Sequence, residues 1–168
     1  SGESGFDALL SRFGVMFFPD PVAAFSNMRA LMAPQGRAVW VAWRSPAEAE
    51  LFSLPMQTAL AFLTAPPPRS EPGAPGPFGL SDPDRTRHLM ETAGWHSVKV
   101  TPHDLFVSIR PEDRAGVFDR TALPALLEEQ GVDPAPVRAA LEAALAARAD
   151  GEGVSHLKAG VWLIGAIA

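Results

Sequence analysis

Two apolar runs flanking a segment with a marked helix start constrain the fold of this chain more than any other feature. Residues Asp7 to Phe18 (Asp-Ala-Leu-Leu-Ser-Arg-Phe-Gly-Val-Met-Phe-Phe) form an almost unbroken apolar stretch. Such a run suits a strand buried on both faces of a parallel sheet, whereas a half-solvated strand would alternate. Asp20-Pro21 follows, an N-cap residue with proline at the first helical position. Val22, Phe25, Met28, Leu31 and Met32 then recur at helical spacing, which predicts a helix from Pro21 to about Leu31. Pro34-Gln35-Gly36 breaks it, and Arg37 to Trp43 is a second continuous apolar strand. Two strands joined through a helix run parallel with a right-handed crossover, which places the chain in the α/β class.

The rest of the chain continues in this style. Ser45-Pro46-Ala47-Glu48 has capping-box spacing and predicts a helix to about Leu63, with an interruption possible at Pro55. Residues 65–77 are proline-rich with two glycines, too full of breakers for helix or sheet; they form a semi-extended loop, either a lid or a connector. Ser81-Asp82-Pro83-Asp84 restarts a helix with Ser81 as cap, and Gly94 is placed to end it. Trp95 to Ile109 reads as one strand, or two joined at Pro102. Two helices follow, Arg114 to Gln130 and Pro134 to Ala149. The second is capped by Asp133 and carries Val137, Leu141, Ala144 and Leu145 on one core-facing stripe. Gly160 to Ala168 is a last buried strand, so the chain ends inside its own sheet. No repeat of 20 to 50 residues is present.

Composition removes several function classes. The 168 residues, 47% apolar and 20% charged, suit a single domain spanning 1–168 with a real core. A net charge of -5 offers no basic footprint, so neither a nucleic acid nor a membrane surface is the expected partner; a small or neutral ligand fits better. With no cysteine, disulfides, thiolate metal sites and thiol nucleophiles are excluded. No apolar run reaches the ~18 residues of a membrane helix, and Ser1 to Gly5 lacks signal-peptide character, so a cytoplasmic location is expected. Entering an apolar strand almost at once, the chain reads as continued from an upstream segment.

The order apolar strand, Asp-Pro helix, Pro-x-Gly-Arg turn, apolar strand resembles the middle of the class I S-adenosylmethionine-dependent methyltransferases, in the branch of the ubiquinone and menaquinone biosynthesis enzymes. Phe6 to Phe18 is similar to that family's fourth strand and following turn. Leu31-Met32-Ala33-Pro34-Gln35-Gly36-Arg37 is similar to the turn before its fifth, and Ala93-Gly94-Trp95 with Val98-Lys99-Val100 to the lead into its sixth. The resemblance implies the C-terminal half of a doubly wound, Rossmann-like methyltransferase sheet, strands four to seven with flanking helices. The family's glycine-rich turn after strand one and acidic residue ending strand two have no counterpart; Gly73 and Gly76 sit in the proline-rich loop with no strand before them. Strand four, normally central, then becomes an edge open to pairing. The expectation is a missing N-terminal half or a homo-oligomer covering the gap.

In open α/β sheets ligands lie beyond the carboxyl ends of the strands. By resemblance, Ser11, Arg12, Phe13 and Gly14 face S-adenosylmethionine, Arg12 as polar contact and Phe13 as apolar wall. The plainer reading has Ser11 and Arg12 solvating a strand end with Phe13 in the core. Trp43 and Arg44, leaving the next strand at the same edge, line a pocket for a small-molecule acceptor, or Trp43 packs on the following helix. No catalytic residue is identified. His88, His96, His103 and His156 match no metal motif and read as ordinary surface or hydrogen-bonded histidines, and no metal is expected. Ser11 lies in no nucleophile elbow. Asp82 and Asp84 read as helix caps. Two functions remain: a small-molecule methyltransferase present as a C-terminal fragment inactive alone, or a non-catalytic α/β interaction domain derived from one.

Overall fold

The strand-helix-strand unit forms as its residues dictate. In the computed structural model, which describes residues 4–68 and 71–168, β1 (Phe6–Arg12) leads to α1 (Pro21–Ala30) and then β2 (Met32–Trp43). Asp20 caps α1, its carboxylate accepting from the Ala23 N–H at 2.9 Å. The expectations on Ser1 to Glu3, and on Arg69 and Ser70 of the proline-rich loop, lie outside the described residues. The remaining helices are α2 (Glu50–Ala59), α3 (Pro83–Thr92), α4 (Leu123–Glu129) and α5 (Pro134–Ala146), and the last strands are β3 (His96–Ile109) and β4 (Ser155–Ile167).

The fold is mixed α/β. One sheet has the order β1-β2-β4-β3, so the final strand lies inside it and β1 at an edge. β1 pairs parallel with β2, and β2 antiparallel with β4. The Pro34-Gln35-Gly36 break is a bulge within β2: Phe6 faces Met32, yet Ala8 already faces Arg37. Gly36 is required there, because a Cβ would sit 2.8 Å from the Phe6 carbonyl oxygen.

The chain divides into two units, one of Ser1–Ser45, Ser70–Asp104 and Gly160–Ala168, the other of Pro46–Arg69 and Leu105–Ala159. In the first, Phe25, Trp40, Met90, Trp95 and Ile164 are fully buried between one sheet face and helices α1 and α3. The Trp40 ring lies 4.8 Å from Phe25 and edge-on to Trp95 at 5.8 Å, and the Trp95 indole N–H donates to the Phe25 carbonyl at 2.9 Å. In the second, Leu123 and Leu127 of α4 meet the buried stripe Val137, Leu141 and Leu145 of α5 around Phe118 and Leu157.

Several sequence expectations need correction. The first strand stops at Arg12 instead of Phe18; Val15 and Met16 are buried in the turn beyond it, while Leu10 is 78% exposed. Burial on both faces fails because β1 has a neighbour on one side only and a helix layer on one face only. A 3-10 turn (Pro46–Glu48) opens after Ser45, and helix α2 follows with Ala49 at its N-cap, the Ala49 backbone bridging to Ala159. Pro55 is accommodated inside it. Asp82, in place of Ser81, caps α3, accepting from the Asp84 and Arg85 amides at 3.0 Å. Pro102 does not divide β3. The helix expected from Arg114 dissolves into two 3-10 turns before α4, a stretch interrupted by Gly116. Gly94 ends α3 at φ +88°, as the pattern required.

Candidate functional site

The parallel pair β1 and β2 delivers its two carboxyl ends side by side, Ser11 opposite Trp40 and Arg12 opposite Val41. The chain then turns sharply. Phe13 adopts φ +60°, a left-handed conformation that costs a non-glycine residue about 1–2 kcal/mol. Two interactions hold it: its N–H donates to the Val41 carbonyl at 3.0 Å, and its ring stacks on Trp43 with centroids 4.1 Å apart and planes 10° from parallel. An offset-stacked pair is worth about 0.5–1.5 kcal/mol, comparable with the strain. Ser11 and Phe13 are half-buried, and Arg12 and Gly14 are exposed. A Cβ on Gly14 would come 3.1 Å from the Ser11 hydroxyl, so a small residue keeps this turn tight.

The residue after Trp43 in sequence carries a polar group. The Arg44 guanidinium bonds Asp104 at 2.9 Å and stands 5.3 Å from the centre of the Trp162 ring. Trp162 is itself fixed, its indole N–H donating to the Ser81 carbonyl at 2.8 Å. The Arg44 side chain is 17% exposed and that of Asp104 49% exposed, so the pair joins a shielded cation to a wet carboxylate.

The later part of the proline-rich loop is tied to the same turn. The Gly76 N–H donates to the Met16 carbonyl at 3.1 Å, and Gly79 passes so close that a Cβ would lie 2.5 Å from that oxygen. The Met16 sulfur in turn accepts from the Trp43 N–H at 3.4 Å. Between the lid and connector readings, residues 71–79 act as a strap fastened at Met16.

The structure therefore brings together the two groups that the sequence set apart, Phe13 of the first turn and Trp43 of the second. It adds three partners that sequence reasoning missed. Trp162 was legible only as one more apolar residue of the last strand, Asp104 only as the neighbour of His103, and Met16 only as core. Met16 reaches the Trp43 N–H, and Asp104 and Trp162 both reach Arg44, Trp162 because the last strand pairs Ala42 with Trp162.

The histidines lie elsewhere. His88, His96, His103 and His156 are exposed, and among the described residues no group of three or more His, Asp or Glu could hold a metal ion. His156 bridges Ser108, at 3.2 Å from its Nδ1, and Asp150, at 2.7 Å from its Nε2. That hydrogen bond, with a further one from the Val154 amide, holds the Asp150 carboxyl below its ordinary pKa. Two concavities, of about 330 Å³ beside Arg29 and Gln35 and about 490 Å³ beside Thr64 and Gln130, do not adjoin the Phe13–Trp43 pair.

Against S-adenosylmethionine, the residues present fit one wall. The stacked aromatic pair suits an apolar or planar ligand surface, and Ser11 and Arg12 offer a hydroxyl and a cation at its edge. The glycine-rich turn and ribose-binding carboxylate are missing from the sequence, and Gly73 cannot substitute, because a Cβ there would lie 2.6 Å from the Arg85 guanidinium that already fills the space.

No family model matches the chain, and no curated protein does. Among solved structures it is similar to a protein of Bacillus halodurans assigned provisionally as a methyltransferase, at 13% identity and TM-score 0.49, over 98% of this chain and 70% of that one. It is similar also to the YcgJ protein of Bacillus subtilis, at 13% identity and TM-score 0.48, over 98% of this chain and 64% of that one. A third is phosphoethanolamine N-methyltransferase 2 of Haemonchus contortus in complex with S-adenosyl-L-methionine, at 13% identity and TM-score 0.41, over 96% of this chain and 33% of that one.

Proposed function

We propose that this chain is the acceptor-side half of an S-adenosylmethionine-dependent methyltransferase for a small molecule, inactive until a further segment completes the cofactor site. The observation that carries this reading is the sheet itself. Its last strand sits inside, β1 is left as a bare edge, and the turn leaving that edge sets Phe13 on Trp43, the residue before the Arg44 that bonds Asp104. That is the arrangement expected of strands four to seven taken without their neighbours.

When bound, S-adenosylmethionine supplies a methyl group activated on a sulfonium sulfur. The residues of this chain contribute placement. Phe13 offers an apolar wall to the cofactor, Trp43, stacked on it, offers one to a hydrophobic acceptor, and Arg44, held by Asp104, offers a cation next in sequence. Positioning of this kind can be worth several kcal/mol without a dedicated base.

Titration with S-adenosylmethionine by calorimetry tests the reading. Micromolar binding that weakens at least tenfold in Phe13→Ala and Trp43→Ala supports it. No heat at millimolar ligand removes the partial cofactor wall from this reading and favours a non-catalytic interaction domain. One observation favours that second reading: the β1 edge, with Leu10 78% exposed, is a template for another strand. Homo-oligomerisation through this edge would appear in sedimentation velocity as a dimer. Among the described residues no helix is long and apolar enough to cross a membrane, and a cytoplasmic site of action belongs to the same proposal.

A further inference from the structure

The second unit carries a serine, a histidine and a carboxylate in line, and strand alternation sets the first two free of its core. On β3, Val107 and Ile109 pack into that core, and Ser108 between them is exposed. On β4, Ser155 and Leu157 are fully buried, and His156 between them is exposed. The Ser108 hydroxyl lies 3.2 Å from Nδ1 of His156, and Nε2 of the same ring lies 2.7 Å from Oδ2 of Asp150.

The supporting groups are themselves fixed. Oδ1 of Asp150 accepts from the Glu152 and Val154 amides at 2.9 Å, and the turn is closed by the Asp150 N–H, which donates to the Val154 carbonyl at 3.0 Å. Beside His156, the Ser155 hydroxyl donates to the Leu145 carbonyl at 2.7 Å and accepts from Nε of Arg114 at 3.0 Å. The Asp150 carboxyl, its pKa held low by the His156 hydrogen bond, is charged at neutral pH and only accepts. It therefore keeps the imidazole proton on Nε2, and Nδ1 of the neutral ring turns its lone pair to the Ser108 hydroxyl. A nucleophile within hydrogen-bond reach of a base, with the base oriented by a third group, is the arrangement of covalent catalysis. The two ring nitrogens are exchanged relative to the usual serine, histidine and aspartate order, which leaves the route of the proton intact.

We propose that Ser108, His156 and Asp150 form a second site, which hydrolyses activated carboxylic esters through an acyl-serine. Oγ of Ser108 bonds to the ester carbonyl carbon and gives its proton to Nδ1 of His156, while the carbonyl electron pair moves to oxygen. When that pair returns, the bond to the leaving oxygen breaks, and the alcohol departs with the proton from Nδ1. Water repeats the sequence on the acyl group, restoring Ser108 and releasing the carboxylic acid. His156 serves as base and then acid, and Asp150 is a positioning residue. The side chains of His156 and Asp150 are 42% and 40% exposed, so a small ester reaches them. Water, more than fixed protein dipoles, then solvates the developing oxyanion, which restricts the site to esters whose leaving group departs easily, aryl esters above all. The inference is independent of methyl transfer.

The test uses the whole chain, p-nitrophenyl acetate and a fluorophosphonate probe. The probe is expected to attach to Ser108, located by peptide mass spectrometry, and release of p-nitrophenolate should saturate with ester. Ser108→Ala and His156→Gln should each lower kcat about tenfold or more. Asp150→Asn should lower kcat with KM unchanged, because the amide keeps both backbone bonds through its oxygen yet presents an N–H to Nε2, which moves the ring proton to Nδ1. Ser108→Cys introduces a thiol into a chain that has no other. Iodoacetamide should alkylate that thiol about tenfold faster than in the same variant carrying His156→Gln. Circular dichroism confirms that these variants are folded. Labelling that misses Ser108, hydrolysis unchanged in Ser108→Ala or in Asp150→Asn, or equal alkylation rates with and without His156 overturns the proposal.

Discussion

The two faces of one sheet, in the unit that contains β1, are made from the same strands yet have opposite characters. On the helix-covered face Trp40, Phe25 and Trp95 interlock at full burial, and the Trp95 indole N–H has its partner in the Phe25 carbonyl. On the open face Leu10, Val39 and Leu163 remain exposed among Arg12, Arg37 and Lys99. The largest buried side chains gather on the covered face, while Leu10, Val39 and Leu163 keep apolar area in water. Alternation along a strand makes this division possible, since successive residues serve different neighbours.

The sharpest way to break this comparison is to truncate one side chain on each face. Trp95→Ala removes a buried indole and its hydrogen bond, and is expected to cost about 3–5 kcal/mol; urea denaturation measures it. A loss under 1 kcal/mol would mean that the covered face is not the stable one. Next is a support of that face: Asp82→Ala deletes the α3 cap that satisfies two amides and should cost about 1 kcal/mol, read from the same midpoint shift. At the junction between the faces, Phe13→Gly relieves the φ +60° strain but loses the stack on Trp43, so stability should change by less than about 1 kcal/mol. Near-ultraviolet circular dichroism of Trp43 should change all the same. Smallest is Leu10→Gln on the open face, expected within about 0.5 kcal/mol of the parent. A larger destabilisation would show that Leu10 is packed in solution, and the open face would then be a covered one.

Much of the fold was legible because local signals and tertiary outcome agreed. Asp20-Pro21, Asp133-Pro134 and Gly94 mark α1, α5 and the end of α3 through backbone chemistry that acts within a few residues. The regular part of α2 starts later than Ser45, at Glu50, where the Ala49 backbone is claimed by Ala159, more than a hundred positions away. The first strand was overestimated for a related reason: Val15 and Met16 are apolar because the turn is buried, and composition does not separate a buried turn from a buried strand. For the site, Ser11 to Gly14 and Trp43-Arg44 could be picked out as residues leaving strand ends. That Phe13 would stack on Trp43, or Asp104 bond Arg44, could not, since both depend on sheet order and on one left-handed residue.

By itself, the sequence determined the α/β class, the strand-helix-strand unit, the capped helices and the two strand ends that carry the candidate site. Those follow from periodicity and capping, which are short-range. Only the tertiary structure decided that the last strand enters between β2 and β3, bringing Trp162 beside Arg44, and that Leu10, Val39 and Leu163 share one face and stay exposed there. Which residues share a rung depends on strand register, a property of the assembled sheet that no single strand encodes.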